Sequence, residues 1–292
     1  MRVRLLGTAA GGGAPQWNCA CTACRRARAA GSVRTQDCVA VSGDGRSWFL
    51  LNASPDLRAQ LVSAPELAPG PGARETPVRG VLLCTAELDH TLGLLALREA
   101  ETITVYATAT VLDALSGPFP VRDILGAYTS VNWRPVAVEE PFELAGGLTV
   151  TAVPVGAKRP RYAAAAPSTG DWVVAYRIGD RRTRGVLVYA PCLPALGGPF
   201  LTALAGAKAV IVDGTFLYDD EMARATGSGR TATELGHLPV STSLRDLTKT
   251  GVRVLYTHLN NTNPLCAASA PERETLAAYG AEVAEDGQSI TL

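Results

Sequence analysis

The sequence has little histidine, few aromatic residues and no excess of charge. Its 292 residues include 3 histidines, 6% aromatic and 18% charged residues, and its 27 basic side chains balance its 27 acidic ones. Nucleic acids and anionic membrane surfaces attract a basic excess, so we expect neither as a partner. Imidazole is the commonest metal ligand, which makes each of His90, His237 and His258 informative.

Long hydrophobic runs are also missing. No apolar stretch reaches the ~18 residues of a membrane helix. Residues 1–13 predict a strand and a glycine loop rather than a secretory leader, so we expect a cytoplasmic protein. Hydrophobic residues make up 47% of the chain, which suffices for a globular core. A homodimer is compatible with the sequence but is not specified by it.

Three of the seven cysteines lie within six residues, which favours a metal site over a disulfide framework. Cys19, Cys21 and Cys24 form a C-x-C-x-x-C knuckle, which can wrap three thiolates around one Zn²⁺. The fourth ligand must come from elsewhere in the chain, and a site closed in this way is structural. The alternative is three free cysteines in a loop, an arrangement that is prone to oxidation.

Apolar, β-branched runs predict about a dozen strands, and amphipathic segments predict seven helices. Their uneven alternation suggests paired sheets inside and helices outside, in a single domain over 1–292. Ser54 is the expected N-cap of the first helix, with Pro55 at its first position. The predicted strands are 3–6, 38–42, 48–52, 80–84, 103–106, 134–138, 148–153, 172–178, 185–189, 209–213, 253–257 and 289–292; the predicted helices are 54–63, 92–100, 109–115, 194–205, 218–225, 240–249 and 270–279.

Titratable residues follow three of the predicted strands where each strand ends, the place where α/β proteins carry their chemistry. They can serve as metal ligands or as an acid/base pair. The plainer alternatives are a helix cap for Asp89, a core carboxylate for Asp213 and a hydrogen-bonded core histidine for His258. The residues are Glu87, Asp89 and His90 after 80–84, Asp213 at the end of 209–213, and His258 after 253–257.

Seven blocks of the sequence, in order, resemble one protein family. They are GTAAGGGAPQWNCACTAC (7–24), RTQDCVAVSGDG (34–45), NASPDLRAQL (52–61), ELDHTLGLLALRE (87–99), DGTFLYDDEM (213–222), GHLPVS (236–241) and THLNNTNP (257–264). The family is that of the pyrroloquinoline quinone (PQQ) biosynthesis B proteins, within the metallo-β-lactamase superfamily. The resemblance implies a metallo-β-lactamase-like four-layer αβ/βα sandwich with an N-terminal zinc knuckle.

A related phosphodiesterase branch closes a similar knuckle with a distant histidine. This likeness implies that Cys19, Cys21, Cys24 and His237 hold the structural Zn²⁺. Two alternatives remain for His237: a position facing the active site, and an ordinary loop residue.

The superfamily motif H-x-H-x-D-H aligns with residues 85–90, where Thr85 and Glu87 replace its first two histidines. There is no histidine between residues 91 and 236, and the place of the bridging aspartate falls at or beside Pro191. The resemblance therefore implies that the first metal site of the two-metal hydrolases is lost. Asp89, His90 and His258 remain as the ligands of the second site.

Two imidazoles and one carboxylate form the facial triad of mononuclear Fe(II) oxygenases. The resemblance implies that Fe²⁺ and O₂ hydroxylate a tyrosine, crosslinked to a glutamate, in a precursor peptide or in a small molecule derived from it. Other divalent metals can replace Fe²⁺ on purification, because an N/O site binds zinc and copper more tightly. Glu87 is expected beside the ligands or as a weak ligand, and Asp213 is expected to orient a ligand or accept a proton.

Two other functions stay open at this point, a metallohydrolase (peptidase or phosphodiesterase) and a non-catalytic carrier of PQQ or its precursor. The chain also departs from the family pattern: Cys192 stands where glycine is usual, and Cys266 where an aliphatic residue is common. Such departures are compatible with a divergent homologue that serves another natural-product pathway, so the choice between PQQ and a different product stays open here.

Overall fold

The chain alternates strands with short helices along its length. The computed structural model describes residues 1–167, 169–227 and 229–292. The strands are β1 (Arg2–Gly7), β2 (Cys38–Ser42), β3 (Trp48–Leu51), β4 (Val78–Leu82), β5 (Thr102–Ala107), β6 (Ser130–Pro135), β7 (Pro141–Leu144), β8 (Leu148–Gly156), β9 (Val173–Asp180), β10 (Val186–Ala190), β11 (Ala209–Asp213), β12 (Arg253–Thr257), β13 (Ala281–Val283) and β14 (Ser289–Thr291).

The helices connect these strands on the outside. They are α1 (Thr22–Ala30), α2 (Leu57–Ser63), α3 (Leu88–Thr91), α4 (Ala109–Ala114), α5 (Val121–Gly126), α6 (Gly198–Ala203), α7 (Glu221–Thr226), α8 (Val240–Thr248) and α9 (Pro271–Ala278). Short 3₁₀ segments cover Pro65–Leu67, Leu92–Glu99, Arg161–Ala163, Thr233–Leu235 and Pro264–Cys266. Of the helices that the structure describes, none combines the length and the hydrophobicity needed to cross a bilayer.

The strands form two sheets of seven strands each. One has the order β14-β1-β2-β3-β4-β5-β6 and the other β13-β12-β11-β10-β9-β8-β7. In each sheet a run of antiparallel pairs changes to parallel pairs, at β3–β4 in the first and at β10–β11 in the second. The loops after the parallel strands β4, β11 and β12 carry the candidate site residues, so this topology positions the site.

Side-chain alternation along the strands explains the layers, because successive residues of a strand point to opposite faces. In β2, Val39 and Val41 face the other sheet, whereas Ala40 packs under the outer helices. Strands β10 and β11 follow the same rule in the second sheet, where Leu187 faces inward and Val210 faces outward. Helices α2, α4 and α5 cover the first sheet, and α6, α8 and α9 cover the second. The predicted four-layer αβ/βα sandwich is confirmed.

Several predicted elements differ from those observed. Helix α2 begins at Leu57 rather than at 54, and the Ser54 hydroxyl donates to Oε1 of Gln60 at 2.9 Å instead of capping the helix. Strand β6 occupies Ser130–Pro135 rather than 134–138. The missed strands β7 and β13 are short sheet edges, and the missed helix α1 buries only Cys24, so it has no apolar periodicity to reveal it.

Candidate metal centre

Three loops meet at one edge of the sandwich and bring the predicted residues together. Asp89 and His90 lie on α3, which follows β4, and Asp213 and His258 end or follow the paired parallel strands β11 and β12. The carboxyl ends of parallel strands open toward a common edge, which is why residues distant in sequence meet there.

His258 holds the central position in this cluster. Its Nε2 lies 3.2 Å from Oδ2 of Asp89, and its Nδ1 lies 2.8 Å from the hydroxyl of Thr215. His258 has a backbone φ of 59°, in the left-handed region that non-glycine residues seldom adopt. Such strain persists where surrounding structure imposes it and is common at functional sites. Here the conformation turns the ring between Asp89 and Thr215.

Thr215 connects His258 to Asp213. Its hydroxyl donates to Oδ1 of Asp213 at 2.6 Å, so its oxygen accepts from Nδ1–H of His258. This arrangement keeps the proton on Nδ1 and leaves Nε2 for Asp89 or for a metal ion. Asp213 also accepts the backbone N–H of Leu193 at 2.8 Å and that of Thr215 at 3.0 Å. Both oxygens of the Asp213 carboxylate therefore accept hydrogen bonds from neighbouring residues. This arrangement suits a residue that orients a metal ligand.

The structure corrects the placement of His237. Its Nδ1 donates to Oδ2 of Asp213 at 2.8 Å, and its ring stacks on that of His258 with the centroids 5.6 Å apart. The three thiols form a separate cluster that His237 does not enter, within the part of the chain that the structure describes. The prediction that His237 is the fourth ligand of the knuckle is wrong, because the buried carboxylate of Asp213 holds its imidazole in the cleft. The alternative, a position facing the active site, matches what is seen.

His90 lies fully buried beside His258, with the ring centroids 5.1 Å apart. Neither of its ring nitrogens has a hydrogen-bond partner among the described residues. A buried polar group without a partner is costly, and a native structure retains one where an unseen ligand satisfies it. The ligand atoms of His90, His258 and Cys192 all lie within 4.8 Å of one another. This donor set fits a transition-metal ion. The predicted ligand Asp89 lies outside the set and touches it through His258, with Oδ2 3.2 Å from Nε2.

The protonation states follow from the same contacts. Burial lowers the pKa of His90 to about 4, so this imidazole is neutral and ready to bind a cation. Burial favours the neutral forms of Asp89 and His258 too, but their neighbours outweigh it: His90 and His258 lower the pKa of Asp89, and the contact with Asp89 raises that of His258. Without a cation the two form an ion pair, and a metal at Nε2 takes the place of its proton.

Glu87 lies at the rim of the cluster rather than within it. Its Oε1 is 3.9 Å from Nζ of Lys158, and its carboxylate is absent from the metal-type clusters formed by the described residues. Burial raises the pKa of Glu87, and the charge of Lys158 partly opposes that shift. Glu87 thus lies beside the cluster and outside its donor set, and its role there stays a prediction.

Asp89, Cys192, Thr215, His237 and His258 line a cleft of about 700 Å³, within the size range of small-molecule sites, whereas His90 is fully buried beside it. Tyr162, Phe216, Leu88, Leu92 and Leu235 supply apolar and aromatic walls. Three basic side chains stand along the same cleft: Lys158, Arg161 and Arg230. A ligand with a ring and one or more carboxylates would match both the walls and this charge.

The cysteine knuckle is a second, separate cluster. The sulfur atoms of Cys19, Cys21 and Cys24 lie within 4.8 Å of one another, and Cys21 caps α1 by accepting the N–H of Cys24 at 3.5 Å. Burial raises the pKa of the Cys21 thiol to about 11. Asn261 lies against the knuckle, with Nδ2 3.3 Å from Sγ of Cys24 and its carbonyl oxygen 3.8 Å from the same sulfur.

Several residues of the two clusters escaped the sequence analysis. Thr215 and Asn261 carry no pattern of their own, although both fall inside motifs that were recognised. Asp37 lies behind His258, where its carboxylate accepts the hydroxyls of Tyr189 and Thr257, and burial raises its pKa to about 6. Cys192 was noted only as a departure from the family pattern, and nothing in the sequence alone placed it beside two histidines.

Comparison with known proteins shows the family of this chain. Residues 47–258 match the family model described as Beta-lactamase superfamily domain. The chain is 42% identical to "Coenzyme PQQ synthesis protein B" of Cupriavidus necator, over 99% of each chain. It is 43% identical to the protein of the same name from Gluconacetobacter diazotrophicus, over 98% of each.

Solved structures give the same relationship. The crystal structure of Zn²⁺-bound PqqB from Methylobacterium extorquens superposes with a TM-score of 0.92, at 37% identity and over 100% of both chains. A diphosphatase of the PhnP family superposes with a TM-score of 0.69 at 18% identity, over 100% of this chain and 97% of the other, which indicates a shared fold.

Proposed function

Because this chain belongs to the coenzyme PQQ synthesis protein B family of the β-lactamase superfamily, we propose that it acts in PQQ biosynthesis as a non-haem iron oxygenase. The proposed reaction is the Fe²⁺- and O₂-dependent hydroxylation of a tyrosine, crosslinked to a glutamate, in a precursor peptide or a derivative of it. The observation that carries the proposal is a buried, unpartnered His90 beside His258, which contacts Asp89 on the floor of an open cleft.

In this proposal His90, His258 and Asp89 hold the metal ion. Fe²⁺ bound by two imidazoles and a carboxylate supplies the binding and activation of dioxygen, since it keeps open coordination positions. Thr215 and Asp213 orient the ring of His258 through Nδ1, which would leave Nε2 to hold the ion. The neutral state of His90, which burial enforces, makes this ring a ligand without the prior loss of a proton.

The side chains that line the cleft suit the proposed substrate. Phe216 and Tyr162 offer aromatic surface to a tyrosine ring, and the phenol of Tyr162 is itself held by donating to the carbonyl of Ala86 at 2.6 Å. Lys158 and Arg161 are exposed at the cleft and suit the carboxylates of a glutamate-bearing substrate. His237 presents Nε2 to the cleft, because its Nδ1–H is committed to Asp213, and it can accept a proton from substrate or water there.

A two-metal hydrolase is the second candidate, because Asp213, His237 and His258 also have ligand atoms within 4.8 Å of one another. Two observations weigh against it. Asp213 already accepts four hydrogen bonds, from Leu193, His237 and both donors of Thr215. The two clusters also share His258, so a second ion would have to compete with the first for that ring.

The test is anaerobic reconstitution with Fe²⁺, a count of iron and zinc per chain, and oxygen uptake after the crosslinked precursor peptide and air are added. We expect one zinc that resists mild chelation, one labile iron and substrate-dependent oxygen consumption. Asp89→Ala and His258→Ala should lose both the iron and the oxygen uptake. Two exchangeable active-site metals with peptide cleavage in the absence of air would instead identify a hydrolase. Tight binding of the precursor or PQQ that survives both substitutions would identify a carrier.

A further inference from the structure

Cys192 stands in the proposed metal site although the family resemblance gives it no role. It follows β10 by two residues and lines the cleft, half-buried. Its sulfur and the ring nitrogens of His90 and His258 all lie within 4.8 Å of one another. Ligand atoms bound to one ion lie about 3 to 4.5 Å apart, given metal–nitrogen and metal–sulfur bonds of about 2.0 to 2.3 Å. Small side-chain movements would therefore bring all three donors onto one ion.

The surroundings of these donors point to a missing ligand. His90 is completely buried and has no hydrogen-bond partner among the described residues for either ring nitrogen, even though a thiol lies nearby. Cys192 also packs against the apolar cluster under the outer helices of the first sheet, so its side chain adjoins both that cluster and the two histidines. The three donors converge without a hydrogen bond to one another among the described residues, which is the arrangement expected where a cation binds between them.

We propose that Cys192 is a thiolate ligand of the active-site metal ion, together with His90, His258 and Asp89. This inference rests on the proposed function in so far as it assigns a metal to this site. On binding, the sulfur–metal bond forms, one metal-bound water leaves, and the thiol proton passes to solvent. The ion then has four protein ligands, which leaves two open positions in an octahedral ion, and the thiolate adds a soft donor that favours iron, zinc or copper over magnesium and manganese.

The test uses Co²⁺ as a spectroscopic probe in the full chain. The active site is emptied with a chelator while the knuckle keeps its zinc, and one equivalent of Co²⁺ is added anaerobically to the wild type, to Cys192→Ser and to Cys266→Ser. Cys266 is the matched control, because it is half-buried like Cys192 and lies outside the metal-type clusters of the described residues. Any cobalt that enters the knuckle contributes equally to all three proteins and cancels in the difference spectra.

We expect a sulfur-to-cobalt charge-transfer band in the wild type and in Cys266→Ser, and its loss in Cys192→Ser. Cobalt affinity should fall about 10-fold or more in Cys192→Ser, since even the loss of an outer partner of a metal ligand costs about 10- to 100-fold. Equal binding with unchanged spectra in all three proteins would overturn the proposal for Cys192 and leave the metal site intact. If the wild type and Asp89→Ala alike bind no cobalt outside the knuckle, the metal site itself is refuted, and the proposed function with it.

Discussion

The hydroxyl of Thr215 lies 2.8 Å from Nδ1 of His258 and donates to Asp213 at 2.6 Å, so one small side chain sets the orientation of the central histidine. The two hydrogen bonds have a fixed direction. Asp213 accepts the hydrogen bond of the Thr215 hydroxyl, so the Thr215 oxygen accepts the hydrogen bond of Nδ1–H of His258. A metal-binding histidine depends on such an outer partner for its tautomer and its angle.

Replacing Thr215 with valine keeps the shape of the side chain and removes this link. We expect Thr215→Val to lower active-site metal affinity by about 10- to 100-fold, because Nδ1 of His258 loses its acceptor. The measurement is a competition titration with a chromophoric chelator. Thr215→Ser, which restores the hydroxyl, should recover most of the affinity; if valine and serine behave alike, the hydroxyl does not position the ring.

The separation of His237 from the cysteine knuckle gives a second prediction. His237→Ala should keep the knuckle zinc, because this ring bonds to Asp213 and lies with His258. Cys24→Ser should lose that zinc and lower the thermal stability, because Cys24 is a fully buried member of the thiol cluster. Zinc content per chain after mild chelation distinguishes the two. Loss of the knuckle zinc in His237→Ala would contradict the observed position of the ring.

The basic side chains at the cleft give a third prediction. Lys158→Ala and Arg161→Ala should each raise KM for the anionic precursor by about 2- to 5-fold, with little change in kcat, because a half-exposed ion pair contributes about 1 kcal/mol or less. The effect should shrink as salt is added. Arg79→Ala is the control, since Arg79 is exposed near the start of β4, away from the loop that follows the strand. A change in kcat without a change in KM would mean that Lys158 and Arg161 do not bind the substrate.

The strands and the polar residues that follow them could be predicted because both depend on short, contiguous stretches of sequence. Buried parallel strands such as β11 and β12 read as short apolar runs, and Asp213 and His258 stand directly at their ends. Once the strands are known, the meeting of these residues follows from parallel pairing. The placement of Asp89 and His90 after β4 could be predicted for the same reason.

The partners of His237, Thr215 and Cys192 could not be predicted in this way. Each depends on how a loop packs against another loop, and no periodicity encodes that. The loop before α8 could have carried His237 to the knuckle or to the cleft, and a buried carboxylate at Asp213 decided between them. Likeness to the phosphodiesterase branch pointed to the wrong cluster, because a shared knuckle does not imply a shared fourth ligand.

Glu221 gives a prediction about pH and stability. Its side chain is buried at the start of α7, where Oε1 accepts from the hydroxyl of Thr262 at 2.6 Å and Oε2 accepts from the N–H of Leu217 at 2.7 Å. Burial outweighs these bonds and raises its pKa from 4.5 to about 7. The folded state therefore holds a proton that the unfolded state loses between pH 4.5 and about 7. Across this window the contribution of Glu221 to the free energy of unfolding falls as pH rises.

Glu221→Gln should remove this loss, because the amide is uncharged at every pH, like the protonated acid, and its oxygen can still accept the N–H of Leu217. Relative to the wild type, the variant should gain free energy of unfolding as the pH rises from about 5 to about 8, by up to about 3 kcal/mol. Urea unfolding of both proteins at the two pH values measures this difference, and the other groups that titrate in the window cancel in it. Glu274→Gln, at an exposed position on α9, should show no such change. A variant whose gain is the same at both pH values would mean that Glu221 is already ionised in the folded protein at the lower one.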